Sequence, residues 1–227
     1  MNKTIIIRGG GDLATGTISC LHQCGYQVLV LEIAKPTAIR RSVAFSEAMY
    51  DGETEVEGIK ARKITQFSEA EACWQDGIIP IICDEKAEAV KVVPHFAFVD
   101  AAIAKRNLGT TIDMADFVIG LGPGFIAGVD VDVVIETKRG HRLGRIIREG
   151  RAIANTGIPG IIGGYGKERV IHSENAGVFH GIAHIGDLVK KGDLIAKVDD
   201  APVYATLDGV LRGILRDGLP VPEHFKI

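Results

Sequence analysis

Short apolar runs, each closed by glycine or a polar turn, dominate the first two thirds of this 227-residue chain. The β-branched run TIIIR at 4–8 predicts a buried parallel strand. From 13 to 24 the apolar positions Leu13, Ala14, Ile18 and Leu21 fall close to a helical stripe, and Gly25 stands where a glycine ends a helix. QVLVLE at 27–32 predicts the next strand, so the opening reads as one βαβ unit. Further strands are expected at 78–83 (IIPIIC), within 96–104 (FAFVDAAIA), at 117–121 (FVIGL) and at 129–136 (VDVDVVIE). Pro80 marks its strand as a start or an edge.

The last sixty residues follow another rule. At an offset of 32 positions, Gly177, Val178, Gly181, Ile182, Gly186 and Val189 meet Gly209, Val210, Gly213, Ile214, Gly218 and Val221. Identities confined to glycine and β-branched residues predict two copies of one β unit. The pattern IGDLVKKGDLI resembles the barrel-sandwich module of biotinyl and lipoyl carrier domains. The segment VDDAP at 198–202 lacks the attachment lysine, so a docking or covering module is expected rather than a carrier. His180 and His184 on a strand would stand about 13 Å apart, which argues against a metal pair. The expected fold is α/β: a Rossmann-like parallel sheet domain over 1–167, then a small all-β barrel-sandwich (biotinyl/lipoyl-like) module over 168–227.

Composition narrows the function. Hydrophobic residues make up 46% of the chain and the net charge is −3, without the basic field of a nucleic-acid binder. No apolar run reaches the roughly 18 to 20 residues that cross a bilayer, and the N-terminus lacks the layout of a signal peptide. A cytoplasmic protein with no nucleic-acid or membrane partner is expected. Four scattered cysteines give no disulfide framework. Cys20 and Cys24 share a helix face and read as half-buried thiols, or as a soft-metal pair lacking further ligands; no metal site is assigned.

The 28 glycines are clustered. Gly9-Gly10-Gly11-Asp12-Leu13-Ala14 matches GxGxxA between a predicted strand and a predicted helix. Glycine there permits a tight turn, close approach of a pyrophosphate and close packing of helix on sheet. The helix N-terminus adds free N–H groups and a positive dipole end. Glu32, 21 residues after Gly11, stands where an acid would bond ribose hydroxyls. A scaffold whose loop turns tightly and binds nothing is the alternative. Arg40 and Arg41 suit a clamp on a second phosphate or carboxylate, or else a solvated helix face. Asp100 and the second glycine loop, with Gly122, Gly124 and Phe125, are expected at the same carboxyl edge of the sheet. The donor-rich stretch TKRGHRLGR offers Arg139 and His141 as a phosphate clamp or general acid.

The motifs RGGGDLATG, RRSVAFSEAMYDG, LGPGF with ETKRGHRLGR, NTGIPG and IGDLVKKGD together resemble the YqeB family. Its members are accessory proteins of selenium-dependent molybdenum hydroxylases. The first half is also distantly similar to xanthine dehydrogenase accessory proteins. The resemblance implies an accessory or maturation factor. Its ligand would be molybdenum cofactor, as a pterin dinucleotide, or NAD. Its partner would be a molybdenum hydroxylase apo-enzyme, and homo-oligomer formation is left open. It also implies a chain that runs on past residue 227. The alternatives are an NAD-dependent enzyme acting on the cofactor or a selenium donor, and a scaffold with an empty loop. No nucleophile with an adjacent base is evident.

Overall fold

The computed structural model describes residues 3–157 and 159–227. The chain divides into two units, one of residues 1–36 and 43–155, the other of residues 37–42 and 156–227.

The first unit is built on a nine-stranded sheet. Its elements in chain order are β1 (Thr4–Arg8), α1 (Asp12–Gln23), β2 (Gln27–Glu32), α2 (Ala48–Asp51), β3 (Glu53–Val56), β4 (Ile59–Ile64), α3 (Ala70–Gln75), β5 (Ile79–Cys83), α4 (Ala89–Val92), β6 (Ala97–Asp100), β7 (Phe117–Leu121), β8 (Val133–Ile135) and β9 (Ile146–Ile147). The strand order is β3-β4-β5-β2-β1-β6-β7-β8-β9. The seven inner strands run parallel, and the edges β3 and β9 are antiparallel.

Alternation decides which face each residue serves. Ile5, Ile7, Val28, Val30, Ile79, Ile81, Ala97 and Val99 pack with Ala14 and Ile18 of α1 and with Phe45, Ala48 and Met49. Ile6, Leu29, Leu31, Ile82, Phe98, Val118 and Val134 pack on the other face with Ala70 and Cys73 of α3 and Ala89 of α4. A parallel sheet covered on both sides needs continuous apolar strands, which explains the fully buried TIIIR run.

Three expectations change. Pro80 lies not at an edge but in an inner strand, between β4 and β2. It is the second residue of β5, so the start reading holds, and it is tolerated because β5 pairs with β2 only from Ile81 onward. The expected strand at 129–136 shrinks to β8, because VDVD is a turn closed by Gly128 N to Val131 O at 2.7 Å. The carboxylates of Asp130 and Asp132 accept the amides of Ile126 and Val118, at 2.8 and 2.7 Å, which spends the apparent alternation on a loop. Cys20 and Cys24 are exposed rather than half-buried. The buried stripe of α1 is Ala14, Thr15 and Ile18, and both thiols face away from it.

The second unit contains β10 (Gly177–Gly181), β11 (Leu188–Val189), β12 (Leu194–Val198), β13 (Ala201–Tyr204), β14 (Gly209–Val210) and β15 (Pro220–Val221). Its sheets are β13-β12-β10-β15 and β11-β14. The repeat read from the sequence is a symmetry of pairing. Gly177 pairs with Val221, and, shifted by 32 positions each way, Gly209 pairs with Val189. The bond from Phe179 N to Leu219 O repeats as Leu211 N to Asp187 O, both 2.8 Å. Each copy therefore completes the other, and a half-unit alone would leave its strands unpaired. No closed barrel is formed by these sheets.

Candidate functional site

The carboxyl ends of β1, β2, β6, β7 and β8 carry the candidate chemistry, as expected for an open parallel sheet. Gly9, Gly10 and Gly11 join β1 to α1. The first is required by the protein's own packing, and the second is crowded by it. Gly9 has φ +94°, and a Cβ there would lie 2.9 Å from Ala102 Cα. A Cβ on Gly10 would meet Ser46 N and Ile81 Cδ1, each at 3.2 Å. The Gly10 carbonyl also accepts the Ser46 amide at 2.8 Å.

Gly11 differs. Nothing lies within 4 Å of the position its Cβ would take. It is the N-cap of α1 in extended backbone, with no side chain capping the helix. Asp12 stands in the first turn and offsets part of the positive dipole end. Leu13 beside it is 52% exposed, and Ala14 is buried in the helix–sheet contact.

Glu32 faces this loop. Its Oε2 accepts the Gly10 amide at 2.7 Å and its Oε1 accepts the Ile33 amide at 2.8 Å. One loop N–H is thus taken by the protein itself, although each carboxylate oxygen keeps a second lone pair. Burial pushes the Glu32 carboxyl above its ordinary value, and the two amides from Ile33 and Gly10 pull against that shift.

Asp100, at the end of β6, is 2% exposed and turned to structural bonds. It accepts Arg8 Nη1 at 3.2 Å, the Thr110 hydroxyl at 2.6 Å and the Ala102 amide at 3.2 Å. Arg8 also reaches the Thr110 hydroxyl and lies 5.5 Å from the Phe98 ring centroid. This buried pair ties the segment after β6 to the end of β1.

The second glycine loop is also closed by the protein. A Cβ on Gly122 would fall 2.6 Å from Thr137 Oγ1, and one on Gly124 2.8 Å from the Arg106 backbone. Phe125 is buried in the sheet-face core, its ring against Gly120. These glycines let three chain segments meet. Arg139 and His141 are exposed in the loop between β8 and β9. Arg40 and Arg41 belong to the second unit, where Arg41 Nε donates to the Ile214 carbonyl at 2.9 Å.

Two residues were not singled out by sequence. Ser46 is fully buried beside Gly10, and its hydroxyl has no partner among the described residues. Glu136, just past β8, is 2% exposed and accepts the amides of Lys138 and Ile153, each at 2.8 Å. An acid ending a predicted strand, as Glu32 does, was the available signal for Glu136. Nothing in the sequence brings Ser46 to the loop. Cys83 is exposed at the end of β5, in register with Glu32. Burial pushes the Cys73 thiol upward, as suits a core residue. His180 and His184 lie near Asp217 and Asp187 respectively, and no group of three metal-ligating side chains occurs among the described residues.

The chain is 46% identical over 226 residues to "Uncharacterized protein YqeB" of Escherichia coli (strain K12). The match covers all of this chain and 42% of that YqeB protein, so the chain spans less than half the length of its relative. No family model and no solved structure matches. Among the described residues, no helix is long and apolar enough to cross a membrane.

Proposed function

We propose that the protein is an accessory or maturation factor that holds a phosphate-bearing dinucleotide at the start of α1. The cargo would be the pterin dinucleotide form of molybdenum cofactor, or NAD, and the recipient a molybdenum hydroxylase apo-enzyme. The observation that carries this reading is the open space over Gly11 at an uncapped helix N-terminus. It lies on the sheet edge where α/β folds take ligands.

The residues fit such a group in part. The first-turn amides can receive one phosphate, while the Gly10 amide is already held by Glu32. Glu32 would fix the loop and offer its remaining lone pairs to sugar hydroxyls. Leu13 would lie against the cargo and exclude water from the phosphate contacts. The exchanged strand pairing of the second unit supports a barrel-sandwich-like module, which would dock on the recipient.

Calorimetry of the protein with NAD and with the pterin dinucleotide tests the reading. Binding that is lost in Gly11→Val is expected. Absence of heat with both compounds would refute it.

A further inference from the structure

We propose that the loop between β8 and β9 forms a second anion site, one that receives a diphosphate group. It rests on different residues from the glycine loop and stands or falls without it.

Between residues 138 and 151 the chain carries six Lys or Arg against one Glu, in a protein of net charge −3. Four of these arginines recur at every third position: Arg142, Arg145, Arg148 and Arg151. The fold gathers all four around one hollow of about 340 Å³, together with Glu136 and Glu149. All four are exposed, and none forms an ion pair or a side-chain hydrogen bond among the described residues. Clustered guanidiniums repel one another, and the two glutamates of the lining offset only half of their charge.

The acid best placed to neutralise them is spent elsewhere. Glu136 gives both carboxylate oxygens to backbone amides, those of Lys138 and Ile153. Its own backbone bonds Arg145 O at 3.0 Å and Gly144 N at 2.8 Å. Beyond it, Ile135 and Val134 pair with Ile146 and Ile147, and Ala127 N donates to Gly150 O at 2.8 Å. The loop is therefore fixed from 136 to 153 by buried and backbone bonds. Its arginines are set on a rigid frame, which lowers the ordering cost of binding.

Ligand chemistry follows from charge, size and geometry. The six charged residues of the lining sum to +2, and Lys138 and Arg139 on the same segment raise this to +4. A diphosphate supplies that much negative charge in a compact volume, and its oxygens match bidentate guanidinium donors. Several carboxylates of a peptide would have to converge to do the same. The hollow lies three strands along the sheet edge from the glycine loop, in the order β1-β6-β7-β8, or about 14 Å at normal strand spacing.

The test is calorimetry of the full chain at low ionic strength with inorganic pyrophosphate, ADP, orthophosphate and a short DNA duplex. Pyrophosphate or ADP is expected to bind about tenfold or more tightly than orthophosphate. Equal affinity for the two would assign free diphosphate as the ligand, and tighter ADP binding a nucleotide. The double variant R148A/R151A is expected to weaken either by about tenfold or more with an unchanged circular dichroism spectrum. R148K/R151K should recover only part of the loss, since lysine keeps the charge without the fork. Gly11→Val, which should abolish dinucleotide binding at the glycine loop, should leave this binding intact. No binding of pyrophosphate or ADP at millimolar concentration would overturn the proposal. So would binding insensitive to R148A/R151A, or DNA binding as tight as that of pyrophosphate.

Discussion

The amide of Gly10 donates to the Glu32 carboxylate at 2.7 Å, joining the loop after β1 to the end of β2. That bond fixes the loop, and it also takes one of the N–H groups a phosphate would use. The acid at this edge is thus part of the loop's architecture as well as a candidate ligand contact. The two roles can be separated by substitution.

Alanine at successive glycines should give opposite results. Gly9→Ala combines φ +94° with a Cβ 2.9 Å from backbone, and should cost about 2–4 kcal/mol in urea unfolding. Gly11→Ala meets nothing and keeps an ordinary φ of −65°, so it should cost under ~1 kcal/mol. If Gly11→Ala proves as damaging as Gly9→Ala, the space above the loop is not open.

The Glu32 carboxyl gives a signed pH effect. Burial raises its folded value above its unfolded one. The stability it contributes is full below the unfolded value and is lost as pH rises through the raised folded value. Glu32→Gln should remove this fall, so the gap between variant and parent should narrow on going from mildly acid to neutral pH. Urea midpoints across that range are the measurement. A gap that widens would reverse the assignment.

Asp100→Ala would leave the Arg8 guanidinium buried without its carboxylate. A loss of about 3–5 kcal/mol is expected in thermal or urea unfolding. Thr110→Val, which removes only a hydroxyl bonded to both charged groups of the same cluster, should cost less, about 1.5–3 kcal/mol. Similar losses from the two would mean that the ion pair is not the dominant contact.

The internal symmetry of the second unit makes matched positions comparable. Gly186 and Gly218 are equivalent at the 32-residue offset, with φ +102° and +78°. Their amides make equivalent bonds, to Leu211 O and Phe179 O. Gly186→Ala and Gly218→Ala should each cost about 1–3 kcal/mol and by similar amounts. A severe loss from one and none from the other would show that the copies do not carry equal load.

Local pattern was enough for much of the first unit. TIIIR, the helix ended by Gly25, QVLVLE and FVIGL each became the expected element, because apolar periodicity and a glycine stop are local properties. The hairpin of β3 and β4 was missed: half of its strand residues are charged, and its turn is Glu57-Gly58, both at positive φ. The VDVD run misled because aspartate bonding to backbone amides imitates strand alternation.

A glycine loop between strand and helix, an acid at the end of the next strand, an arginine-rich segment and a repeat at 32 residues are all legible in the chain. These depend on residue type and spacing along the chain. Folding settles which glycines serve internal packing and which faces open space, that Asp100 is bonded inward, and that four arginines surround one hollow. Those outcomes depend on what segments distant in sequence place beside each residue: Ala102 beside Gly9, Thr137 beside Gly122, Ile153 beside Glu136. Burial and hydrogen-bond partners are properties of neighbours in space, and a linear pattern carries them only where those neighbours are also near in the chain.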